Sequence, residues 1–185
     1  EQVVELVAPF SKTSGNTFLK QVLLRAFVQL GQKNEVADLL DNFKLVAEKE
    51  AWSRLALYTA KEFLLENDKE AAGQYFRQVI DALDQDKAKT AEEIGILADS
   101  YFFSEAYDRA EPALKEVLEL RTDDIKYQTY LAITYARNGK NVLAEEMVQE
   151  IELARAPYQY GAVDYALAQY HGALGNQDQT LNNLL

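Results

Sequence analysis

Cysteine is absent from the 185 residues. That excludes disulfides, thiol nucleophiles and thiolate-ligated zinc, and it leaves the compartment open. Proline is scarce, at 3 residues, and glycine numbers 8. A chain so poor in breakers, with 48% hydrophobic residues, favours packed helices over loops or disorder. Basic residues are outnumbered, 19 against 30, for a net charge of -11 and a pI of about 4.6. This balance disfavours nonspecific attraction to nucleic acid or to an anionic membrane surface. No apolar run reaches the roughly 18 residues that a spanning helix needs, so no membrane insertion is expected.

Motifs that carry chemistry are lacking too. The sequence has no glycine-rich phosphate loop, no serine elbow and no zinc-protease helix motif. Gly139-Lys140 stands without the rest of a phosphate loop, and Asp84 to Glu93 lacks the glycine and ligand spacing of a calcium loop. His171 is the single histidine, with no second imidazole or thiol to accompany it. It is read as a packing residue rather than as a base or metal ligand. The acid pairs Glu92-Glu93, Asp123-Asp124 and Glu145-Glu146 are read as helix starts or solvated faces. The sequence therefore gives no catalytic residue, no metal site and no cofactor.

What is present is a repeat. A small-residue slot holds Leu24, Ala60, Ala98, Ala132 and Ala168, spaced by 36, 38, 34 and 36 residues. Three residues later an aromatic slot holds Phe27, Phe63, Tyr101, Tyr135 and His171. Nine further on, a second small slot holds Val36, Ala72, Ala110, Ala144 and Thr180; four beyond it lies a bulky slot of Leu40, Phe76, Leu114, Val148 and Leu184. A period near 34 residues is the mark of stacked helical hairpins, each of which buries its apolar face only against its neighbours.

Turn residues punctuate the copies: Gly31-Gln32-Lys33-Asn34, Glu66-Asn67-Asp68, Asn138-Gly139-Lys140-Asn141 and Gly175-Asn176-Gln177-Asp178. Glycine just past a helix accepts the left-handed conformation, and Asn or Asp caps the next helix. With apolar residues at i, i+3, i+4 and i+7 between these marks, helices are expected near 17–30, 34–48, 51–66, 68–84, 91–103, 106–120, 124–138, 141–154, 159–174 and 177–185. The polar run 84–90 reads as a connector. The chain opens on Glu1 without a signal-like segment and stops at Leu185 inside a helix of the fifth copy. It is therefore read as a piece of a longer protein.

The slot pattern resembles the tetratricopeptide repeat (TPR) over almost the whole chain, best in copies 91–124 and 125–158. Pro112, early in the second helix of the third copy, also matches variants of that repeat. The family's Trp-like slot differs, holding Lys20, Ala56, Ile94, Gln128 and Asp164. The resemblance implies an all-α right-handed superhelical solenoid of antiparallel helix pairs. It would form a single domain over 1–185, with repeats at 17–52, 53–90, 91–124, 125–160 and a truncated 161–185. Residues 1–16 would then be the end of a preceding repeat.

The resemblance also implies a groove lined by the first helix of each repeat. Ligand-facing positions map onto Arg25, Arg54, Lys61, Leu64, Phe102, Lys126, Ile133, Arg137 and Tyr165, with Phe18, Leu65 and Phe103 among their neighbours. The Asn slots with which chaperone-tail members clamp a terminal carboxylate hold Arg25, Lys61, Asp99, Ile133 and Gln169, so that clamp is not expected. The implied function is non-enzymatic binding of a peptide or protein segment, acidic or amphipathic in character. The alternative is an assembly, regulatory or sensor domain that packs against its own longer chain or against sister subunits, with self-association.

Overall fold

The computed structural model describes residues 16–85, 88–155 and 161–184. Nearly all of the expected end of a preceding repeat, part of the 84–90 connector and the expected first residues of the ninth helix lie outside them. Among the described residues there are ten helices and no strand: α1 Thr17–Gln29, α2 Lys33–Lys44, α3 Lys49–Leu65, α4 Lys69–Leu83, α5 Ala91–Phe103, α6 Tyr107–Leu120, α7 Ile125–Arg137, α8 Asn141–Leu153, α9 Ala162–Ala173 and α10 Gln177–Leu184.

The helices divide into two compact units, with the boundary between Ser104 and Glu105. In the first, α1 packs on α2 and α3, α2 on α3, and α3 on α4 and α5, with α4 also on α5. In the second, α6 packs on α7, α7 on α8 and α9, α8 on α9, and α9 on α10. First helices thus lie side by side: α1 with α3 and α5 in one unit, α7 with α9 in the other.

The slots explain this packing. Ala60, Ala72, Ala98, Ala110, Ala132 and Ala144 are fully buried, and each lacks the bulk that would hold neighbouring helices apart. Leu40, Phe76 and Leu114 fill the space beside them. Phe63 adds a stacked contact with Tyr75, with ring centroids 5.7 Å apart. In the second unit Ile151, Val163, Ala166 and Leu167 form a core cluster where α8 meets α9.

The aromatic slot has a second role. At four turns the amide two residues past the helix cap donates to the carbonyl of the aromatic-slot residue: Gln32 to Phe27 at 2.8 Å, Asp68 to Phe63 at 2.9 Å, Lys140 to Tyr135 at 2.8 Å and Asn176 to His171 at 2.9 Å. The preceding amides of Gly31, Asn67, Gly139 and Gly175 close the inner bond of the same motif. Those four residues have φ between 59° and 80°, which explains glycine at three of them and Asn, the next most tolerant residue, at the fourth.

Two local expectations change. α2 ends at Lys44 rather than near 48, because Leu45 and Val46 project into solvent and give the helix nothing to bury. Glu93, read as a solvated acid, is buried. Its side chain accepts from the Thr90 amide at 2.9 Å while the Glu93 amide donates to Thr90 Oγ1 at 3.1 Å, a reciprocal cap at the start of α5. These bonds, with Lys49 nearby at 3.3 Å, hold the Glu93 carboxyl below the usual carboxylate range.

Candidate interaction surface

The first unit gathers five of the expected ligand-facing residues on its adjacent first helices. Their charges are already engaged. Arg25 of α1 lies 3.6 Å from Glu62 of α3. Arg54 of α3 reaches Glu50 at 2.7 Å on its own helix and Glu92 of α5 at 3.4 Å. Lys61 of α3 donates to Asp99 of α5 at 2.7 Å, and its ammonium sits 4.3 Å from the Phe103 ring centroid.

Each of these cations therefore pairs with an acid one repeat further on. Lys61 and Asp99 occupy equivalent slots of successive repeats, so the two positions that could face a ligand carboxylate bind each other. Asp99 is buried, which makes this pair costly to break from one side only. Beside the Arg25–Glu62 pair, the Tyr58 hydroxyl is pushed up to about 12 by burial and by its hydrogen bond to Glu62. It stays protonated across the physiological range.

Apolar residues complete the face. Phe18 is 66% exposed and Leu65 is 74% exposed. Leu64, Phe102 and Phe103 are half-buried, and the last two meet edge to face with centroids 5.2 Å apart. Exposed and half-buried apolar side chains thus stand beside paired charges on these helices.

The second unit holds the remaining four expected residues. Ile133 is 4% exposed, so it packs inside the unit instead of facing a ligand. Arg137 donates from Nη2 to the carbonyl of Ala173, the last residue of α9, where a cation meets the negative end of the helix dipole. Lys126 lies over the rings of Tyr127 and Tyr130, 4.2 and 5.4 Å from their centroids. Tyr165 is exposed on α9. His171 fills its aromatic slot, as expected, against Tyr170 at 5.3 Å. Among the described residues no group of three or more His, Asp or Glu could hold a metal ion.

This fold of stacked helical hairpins is shared with solved structures. The nearly identical TPR-like repeats of a Podosopora anserina protein assigned as a kinesin light chain superpose with a TM-score of 0.57, covering 91% of this chain and 92% of that one at 18% identity. A form of that protein with one residue substituted superposes with a TM-score of 0.59 at 17% identity and the same coverage. The fold is the TPR-like helical repeat. No family model matches the sequence, and no curated protein matches it.

The TPR-like fold explains the Lys20 departure. In the first unit the Trp-like slot remains a buried position, at Ala56 and Ile94, whereas Gln128 and Asp164 of the second unit are half-buried. Lys20 is buried as well; its stem packs inward and its ammonium lies 5.2 Å from the Phe43 ring centroid. Burial lowers its pKa from the ordinary lysine value. No helix among the described residues is long and apolar enough to cross a membrane.

Proposed function

We propose that this chain is a non-enzymatic protein-interaction module whose first unit binds an amphipathic segment across α1, α3 and α5. One observation carries the reading: Phe18 and Leu65 stand exposed on these helices while the cations of the same face, Arg25, Arg54 and Lys61, are paired with acids of the neighbouring repeat. Apolar side chains supply affinity when they enter a desolvated contact, and charges already neutralised by neighbours add register more than strength. An amphipathic partner fits this better than a purely acidic one.

The test follows from exposure. Phe18→Ser with Leu65→Ser removes apolar surface and leaves every ion pair in place, so the helical content should not change. Peptides selected from a display library on the parent protein are expected to be amphipathic, and the double variant should bind them about tenfold more weakly or worse. Selected peptides that bind the double variant equally well would move the site to another face.

Assembly is a second reading, favoured by α10. That helix packs on α9 yet buries none of its residues, and it exposes Leu181 and Leu184. Under this reading light scattering detects a concentration-dependent dimer that Leu184→Asp returns to monomer. A strict monomer at high concentration removes it.

A further inference from the structure

The second unit holds a groove of about 560 Å³ beside α8, α9 and the turn into α10. Its wall on α8 is a single stripe, because Asn141, Glu145, Val148, Gln149 and Glu152 recur at i, i+4, i+7, i+8 and i+11. A stripe of this period that faces a neighbouring helix is ordinarily apolar. Here only Val148 is.

The charge of this stripe is unbalanced. α8 carries four glutamates and neither lysine nor arginine. Four cations of the second unit are engaged elsewhere: Lys115 and Lys140 with Glu111, Arg155 with Asp164, and Arg137 with the end of α9. Among the described residues neither Glu145 nor Glu152 forms a salt bridge. On the facing wall, His171 Nδ1 is buried and has no hydrogen-bond partner among the described residues. The Tyr170 hydroxyl beside it is raised above the ordinary phenol value by burial and then by the charge of Glu145, so the negative field reaches across the groove.

We infer that this groove binds an extended segment of a partner protein through two basic side chains, one at Glu145 and one at Glu152. The two glutamates are seven residues apart on α8, about 10 Å along its axis, which is too far for one ammonium to bridge. A segment in the polyproline II conformation, with basic residues three apart, presents both on one side at roughly 9 Å. Val148 and Leu174 give the aliphatic stems an apolar wall. Glu145 and Glu152 supply the charge-assisted acceptors. The site is separate from the face proposed above and stands or falls without it.

A labelled proline-rich peptide with two lysines three residues apart is the probe, and fluorescence anisotropy is the measurement. The expected result is saturable binding to the parent protein, weakened about tenfold by Glu145→Gln with Glu152→Gln. Glu146→Gln with Glu150→Gln removes the same charge from the same helix outside the groove lining, and should change binding less than about twofold. All four positions are exposed, so each variant keeps its fold, as circular dichroism will show. Moving the two lysines next to each other should weaken binding severalfold. Because His171 is the single histidine, its imidazole resonance should shift on titration. Equal weakening by both double variants would mean general attraction to an acidic protein and would overturn the inference, as would a His171 resonance that does not move.

Discussion

Phe76→Ala is expected to destabilise the first unit by about 3–5 kcal/mol, a large share of the roughly 5–15 kcal/mol that holds a typical domain together. Phe76 is 1% exposed and fills the bulky slot where a second helix meets the next repeat. Truncation removes the transfer free energy of the ring and leaves a cavity that rigid helices close only in part. The loss should be largest in the amides of α3, α4 and α5, the helices that pack around it, and hydrogen exchange will show whether it is. Val148 occupies the same slot in the fourth copy but is only half-buried, beside the groove. Val148→Ala should therefore cost about 1 kcal/mol, the transfer energy of a small side chain without a full cavity. Equal losses at the two positions would mean that slot identity, and not local closure, decides the energetics.

That contrast marks what a sequence of this kind makes legible. Residues whose environment is set by the backbone were readable: the buried alanines, the bulky slot and the left-handed residues Gly31, Gly139 and Gly175 each answer to one local geometric demand. The order and approximate limits of the helices follow from them, from the capped start of α5 to the ends of α7 and α9. The reciprocal cap of Thr90 and Glu93 had a signal in the Thr-x-x-Glu spacing, but it was missed: Thr90 was read as connector and Glu93 as a surface acid.

Charge pairing was not readable. Arg25, Arg54 and Lys61 stood out as a basic bias on the expected ligand-facing positions, and each turns out to meet an acid 37 or 38 residues later. Which acid a long side chain reaches depends on the axial offset between neighbouring helices, and the sequence period leaves that offset free by a residue or two. Ile133, read as a ligand-facing position, is 4% exposed, on a face that the slot pattern alone did not separate from the groove. The polar stripe of α8 was present in the sequence as a helical period, yet it stood out only once the turn into α10 and His171 closed the other wall.

Glu111 sets the pH response of the second unit. Its carboxylate accepts from Lys115 Nζ at 2.8 Å, from Lys140 Nζ at 2.7 and 2.9 Å, and from Asn138 Nδ2 at 3.2 Å. Lys115 is on the same helix, whereas Asn138 and Lys140 belong to the turn between α7 and α8, so Glu111 ties α6 to the next hairpin. The hydrogen bonds from Lys115 and then Lys140 outweigh the burial that opposes them, and the carboxyl is held at about 2 instead of 4.5. A depressed carboxyl stabilises the fold fully above the unfolded value near 4.5, and that contribution is lost as pH falls toward 2. At about 1.4 kcal/mol per unit the effect is roughly 3 kcal/mol, trimmed somewhat because the two lysines are nearly half exposed. Glu111→Gln is therefore expected to cost about 2–3 kcal/mol at pH 7, and the gap to the parent should narrow steadily between about pH 4.5 and 2. Urea unfolding across that range measures it. A gap that stays constant down to about pH 2.5 would assign the role of Glu111 to packing and neutral hydrogen bonding rather than to its charge. A gap that closes would show that the joint between α6 and the following hairpin is electrostatic, as the ion pairs between the first helices of the first unit are.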